Sequence, residues 1–242
     1  MKKILFILLA ALVAAPSLAQ DEGEQIIIGV QKEKSNAFFI GPKVGVTFSQ
    51  MTDPSGVDIY DKSGVGFSGG LAMKMRFGKA TENSYGGTGY FGVGLELKYK
   101  QNNVKTLATD ETGATNADLS VGFFEVPIFL QVYPFARTAG LNSLYIELGI
   151  SIAGTVSRSP ESLTVPTSNA DEEITYYINT SSSKLKGSDF RPIVGLGYTI
   201  PGTGLDINGR YYIGVNKMAD SFDSKFYSLE VSLSWMFTAF KF

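Results

Sequence analysis

Ten charged residues sit inside segments of alternating polarity, each next to a large apolar neighbour: Lys43, Lys74, Arg76, Glu96, Lys98, Glu125, Glu147, Asp206, Arg210 and Glu230. Both signs are interleaved. If all ten face one enclosed interior, they must pair, because an unpaired buried charge is very costly. Two kinds of chemistry fit such a set: a plug of salt bridges, or the lining and gate of an ion path. Other chemistry is poorly served. The chain has no His and no Cys, which removes the base that activates a serine nucleophile and the usual soft metal ligands. No enzyme activity and no cofactor are expected. Acidic runs at Asp110-Glu111 and Asp171-Glu172-Glu173 lack the spacing of a calcium loop and read as solvated faces.

The elements that carry these charges repeat with a period of two. Eight strands are expected near 38–50, 64–78, 89–101, 118–134, 143–157, 189–200, 203–216 and 226–242. In the second, Val65, Phe67, Leu71, Met73, Met75 and Phe77 oppose Gly66, Ser68, Gly70, Ala72, Lys74 and Arg76. Each strand is long enough to cross a bilayer when tilted, at about 9–11 residues or more. The polar faces are rich in Gly, Ser and Ala, which suits the narrow lumen of eight strands. Pro127 cannot donate to a ladder, so the fourth strand is expected to break or bulge there.

The connections alternate in length. Those near 51–63, 102–117, 158–188 and 217–225 are generally longer than those at 79–88, 135–142 and 201–202, the pattern of long outside loops and short periplasmic turns. The 158–188 loop, with Tyr176 and Tyr177, is the main candidate for binding a ligand at the surface.

Residues 1–19 read as a cleaved signal peptide: Lys2 and Lys3, the apolar run Ile4–Ala15, and small residues Ser17 and Ala19 before the cut. Residues 20–36 form a polar periplasmic lead-in, within which Ile26–Ile28 are expected to pair locally, and 37–242 the barrel domain. The expected fold is therefore all-β: an eight-stranded antiparallel up-and-down transmembrane β-barrel, exported to the cell outer membrane of a Gram-negative envelope. Near-balanced charge, 21 Lys plus Arg against 23 Asp plus Glu, argues against nucleic acid as a partner. The expected partners are outer-membrane lipid, the barrel insertion machinery and an envelope or secretion protein. The last strand supplies the assembly signal, Trp235, Phe237, Phe240 and Phe242. Its outward phase slips between Phe237 and Phe240, so a bulge or frayed end is expected near Thr238.

Three passages carry a family resemblance: Phe124-Glu125-Val126-Pro127-Ile128-Phe129-Leu130, Val194-Gly195-Leu196-Gly197-Tyr198, and Gly209-Arg210-Tyr211-Tyr212-Ile213-Gly214-Val215. They resemble the PorT-like small outer-membrane barrels common in Bacteroidetes, over roughly residues 37–242. The resemblance implies an eight-stranded barrel, with some members linked to protein secretion. The functional expectation is a structural or interaction barrel in the envelope. The alternatives are a small-solute channel and a surface-binding protein acting through loop 158–188.

Overall fold

Alternating sequence becomes alternating environment in the computed structural model, which describes residues 36–52, 62–78, 89–105, 119–159, 187–217 and 225–241. The strands are β1 (Ala37–Met51), β2 (Lys62–Arg76), β3 (Phe91–Lys105), β4 (Leu119–Val132), β5 (Leu144–Ser159), β6 (Ser188–Thr199), β7 (Leu205–Tyr212), β8 (Phe226–Trp235) and β9 (Phe237–Lys241). Each pairs antiparallel with the next in sequence as far as β8. β1 then closes the sheet, pairing with β2 on one edge and with β8 and β9 on the other. Because β8 and β9 are two halves of one stave, the barrel has eight staves, as the periodicity predicts. Closure leaves no stave-long unpaired edge, which a strand in hydrocarbon requires. The expected signal peptide, the lead-in as far as residue 35 and most of loop 158–188 lie outside the described residues, as do Ile26–Ile28, Asp110-Glu111, Asp171-Glu172-Glu173, Tyr176, Tyr177 and Phe242.

Burial is the inverse of a soluble protein's. Val44 is 62% exposed while Lys43 beside it is 4% exposed. The outer face carries Val, Leu, Ile and aromatic side chains, which lipid solvates without penalty. The inner face carries the charges. Aromatic residues mark two levels on the outer face. Phe38 and Phe48, Phe67 and Phe77, and Tyr227 and Phe237 are each ten residues apart on one stave. At about 3.3 Å per residue and a tilt near 40°, that spacing is about 25 Å along the barrel axis, the height of an outer-membrane apolar band. We call the end where β1 begins the near end, and the opposite one the far end.

The departures from simple alternation have local causes. At Pro127 the expected irregularity takes the form of a break in one ladder and not of a bulge. β4 runs through it without a register shift, and Pro127 stays opposite Ser151 of β5. On the β3 side the ladder passes from Leu95–Ile128 to Lys98–Glu125 in constant register, skipping the pairs around the proline that cannot donate. The bulge in β4–β5 falls instead between Gly122 and Phe123. β7 is shorter than its alternation suggests. Ile213 N–H still donates to Pro192 O at 2.9 Å, but Pro192 has no N–H to return, so the ladder ends there. The β6–β7 turn places Gly202 and Gly204 at φ of 80° and 75°, a region open to glycine.

The last stave breaks at Met236, whose side chain turns inward and is buried against Ala37, Phe39 and Ala72. Its N–H donates to Gly204 O at 2.8 Å. Beyond it, Phe38 pairs with Phe240 while Phe39 pairs with Thr238, leaving Ala239 as the bulged residue. This is the irregularity expected near Thr238. It returns Phe240 to the outer face, where its ring stacks on Phe38 at 5.0 Å.

Candidate functional site

The lumen is the one place where the described residues bring many ionisable groups together. All ten charged residues named from the sequence point into it, with relative exposures from 0% to 6%. Alternation also sends Lys100, Asp189 and Arg191 inward, three members that the sequence set omitted. Lys100 shares the inward phase of Glu96 and Lys98. Asp189 and Arg191 share the phase of Gly195 and Gly197, and parity alone would have found them.

At the centre of the lumen four charges from the alternate staves β1, β3, β5 and β7 stand around the axis as a ring, linked one to the next from Lys43 through Glu96 and Arg210 to Glu147. Lys43 on β1 donates to Glu96 on β3 at 2.8 Å. Arg210 on β7 grips both oxygens of Glu96, at 2.8 and 3.1 Å, in the fork geometry that makes such pairs strong. The Nη2 of that fork also donates to Glu147 Oε2 on β5 at 2.7 Å, and Nε reaches that oxygen at 3.1 Å. Glu147 also accepts from Gln131 at 2.8 Å and Asn208 at 3.0 Å. Two cations and two anions thus cross the lumen with each ion paired and every carboxylate oxygen given a donor, the condition under which buried ions are tolerated.

Glycines set the geometry of this ring. A Cβ at Gly94 would run into the Phe129 ring. Its absence lets that ring lie against β3, where Arg210 sits over its face at 4.6 Å. Gly197 gives Tyr145 the same clearance.

Towards the near end, Lys74 on β2 crosses to Asp206 on β7 at 2.8 Å, with Tyr145 donating to the same carboxylate at 2.8 Å and Thr199 at 2.6 Å. Arg76 closes this mouth. It lies over the Tyr133 ring at 3.7 Å and donates to Gly89 O at 3.0 Å and Asn142 O at 2.9 Å, tying two turns together.

Above the ring, Lys98 crosses from β3 to Glu230 on β8 at 2.6 Å, and Tyr212 donates to Glu230 at 3.0 Å. Next to it Lys100 donates to Ser228 at 2.8 Å. Nearer the far mouth, Arg191 pairs with Asp189 at 2.6 Å and Glu125 at 3.2 Å over the Phe123 ring. Met51, Val104, Leu119, Val121, Phe123 and Phe226 are all buried at this end. The lumen is therefore crossed by ion pairs at several levels among the described side chains. Among the described residues no cluster has the His, Cys, Asp or Glu grouping to hold a metal ion.

Of the expected assembly signal, Trp235, Phe237 and Phe240 are among the described residues and lie on the outer face of β8 and β9, exposed to the lipid side. Trp235 and Phe237 stack at 5.7 Å beside the Phe38–Phe240 pair. They form an aromatic sector of the near-end belt.

The chain resembles several solved barrels at low identity. The attachment invasion locus protein of Yersinia pestis, solved with the heparin analogue sucrose octasulfate, is 14% identical with a TM-score of 0.42, covering 83% of this chain and 99% of that one. Neisserial surface protein A is 13% identical with a TM-score of 0.43, covering 83% and 97%. The outer membrane protein OprG from Pseudomonas aeruginosa is 15% identical with a TM-score of 0.41, covering 87% and 100%. No curated protein sequence matches the chain. A family model described as outer membrane protein beta-barrel domain matches residues 19–220. With a closed antiparallel barrel, an apolar outer face and that match over most of its length, this chain belongs to the outer membrane protein beta-barrel domain family.

Proposed function

We propose that this outer-membrane barrel is a non-conducting structural or interaction element of the envelope. The observation that carries the reading is the Lys43–Glu96–Arg210–Glu147 ring, which ties β1, β3, β7 and β5 across the lumen with its carboxylates saturated. Opening that ring would strand charges in a low-dielectric interior, so a small-solute channel is disfavoured. In this reading the ten lumen charges, with Lys100, Asp189 and Arg191, fill the barrel rather than select ions. A signal peptide ending at Ala19 exports the chain. The insertion machinery takes up its last strand through Trp235, Phe237, Phe240 and Phe242, and outer-membrane lipid solvates the finished wall. We assign it no catalytic role.

The partner is then an envelope protein. The likeness of the three passages around Glu125, Gly195 and Arg210 to PorT-like barrels points to a secretion-associated one. Planar-bilayer recording tests the closed lumen: the purified barrel should give no steady conductance, and a stable, ion-selective channel would sink the reading. Affinity capture from outer membranes tests the interaction role, which predicts a stoichiometric envelope protein on the tagged barrel. A surface-binding role for loop 158–188 remains the alternative if deleting 160–185 abolishes binding of whole cells to a ligand while capture is unchanged.

A further inference from the structure

The far layer of charge is paired in a way that leaves an obvious better partner unused. In the central ring every carboxylate oxygen has a donor. Glu125, also fully buried, does not: its Oε1 takes Arg191 at 3.2 Å and its Oε2 has no partner. Arg191 Nη2 and the hydroxyl of Ser151, which sits opposite Arg191 on β5, are likewise unpartnered. Close by are two lysines of β3 that reach away from Glu125. Lys98 stands directly opposite Glu125 on the neighbouring strand, and Lys100 stands opposite Phe123, two residues along the same inward face. Both instead cross the lumen to β8. There Glu230 is already filled by Lys98, Tyr212 and Ser68, at 2.6, 3.0 and 3.1 Å. Lys100 is left with the neutral hydroxyl of Ser228, with Glu230 at 3.9 Å and the face of Tyr212.

We propose that Lys100 is a two-position crossbar, able to leave Ser228 and pair with Oε2 of Glu125. A diagonal neighbour on an adjacent strand is about 7–8 Å away, within reach of a lysine stem. The move needs only side-chain rotation. It replaces a hydroxyl partner by a carboxylate and gives the orphaned oxygen a donor. It also removes one of the two bars between β3 and β8. Lys98–Glu230 and the central ring stay shut, and the Phe123 and Phe226 rings, 6.5 Å apart, still cross the lumen on the far side of Lys100. The result is a change of partner inside a closed lumen, so the inference rests on the closed-barrel reading and adds a buried switch to it.

Double-mutant cycles on the full barrel, folded in phospholipid vesicles and checked by its heat-modifiable migration, test the exchange. The coupling of Lys100→Met with Glu125→Gln, read by urea unfolding, should be measurable, should grow when Ser228 is replaced by Ala and should shrink with Ser228→Asp, which gives Lys100 a carboxylate on β8. A coupling indifferent to Ser228, or absent in all three backgrounds, would overturn the proposal. Failure of the closed-barrel reading would show instead as bilayer conductance, with the coupling still responsive to Ser228.

Discussion

The central ring and the far layer are built from the same residue types on the same inward face, yet they differ in completeness. Glu96 and Glu147 are each held by Arg210 and at least one further donor. Glu125 has one partner and an idle oxygen, and both ends of the Asn102 amide are idle too. Around the ring, glycines let aromatic rings and charged stems interdigitate. At the far layer, aliphatic side chains and phenylalanines fill the space without offering hydrogen bonds. Depth in the barrel therefore decides what an inward charge does. In the saturated layer it is structural, and in the under-paired layer it is free to choose partners.

Mutations sharpen that contrast, each read as stability in lipid vesicles by urea titration. The largest effect should come from Arg210→Met. It leaves Glu96 and Glu147 buried without their shared guanidinium, at a cost of about 3–5 kcal/mol. If it costs under half that, the ring is not the element that holds the lumen. Val46→Lys, on the outer face of β1, tests the other environment. A cation in the apolar band should cost about 2–4 kcal/mol, and a neutral result would contradict a lipid-facing wall. Gly94→Val forces Phe129 off its seat under Arg210 and should cost about 1–3 kcal/mol. Pairing it with Arg210→Met should give a combined loss smaller than the sum, since both act on one contact. Glu125→Gln should cost least, about 1 kcal/mol or less, because Arg191 keeps Asp189 and only one hydrogen bond is weakened. If Glu125→Gln proves as costly as Arg210→Met, the distinction between the layers fails.

The inward phase of the ten named charges follows from parity, because a strand's side chains alternate without exception unless a bulge intervenes. Asp189 and Arg191 obeyed the same parity but sat at the edge of the long loop and beside Pro192, where a strand start is hard to place from propensity. At Pro127 the break-or-bulge expectation resolved to the break. A proline needs a missing hydrogen bond but not a bulge, and a gap in one ladder suffices. The slip near Thr238 was legible because two aromatic residues of the wrong parity had to reach the same lipid face.

Pairing was the part that sequence could not supply. Arg210 meets Glu96, 114 residues away, because the closed sheet sets β7 opposite β3. Lys98 ignores Glu125 across the ladder and joins Glu230, 132 residues away. Such choices depend on how stave register and tilt stack side chains across a lumen only a few side chains wide. The two-residue period by itself determined the barrel, its lipid wall and which charges lie within. Only the tertiary structure decided which charges meet, since register is fixed along each strand pair but contacts across the barrel exist only once the last stave closes on the first.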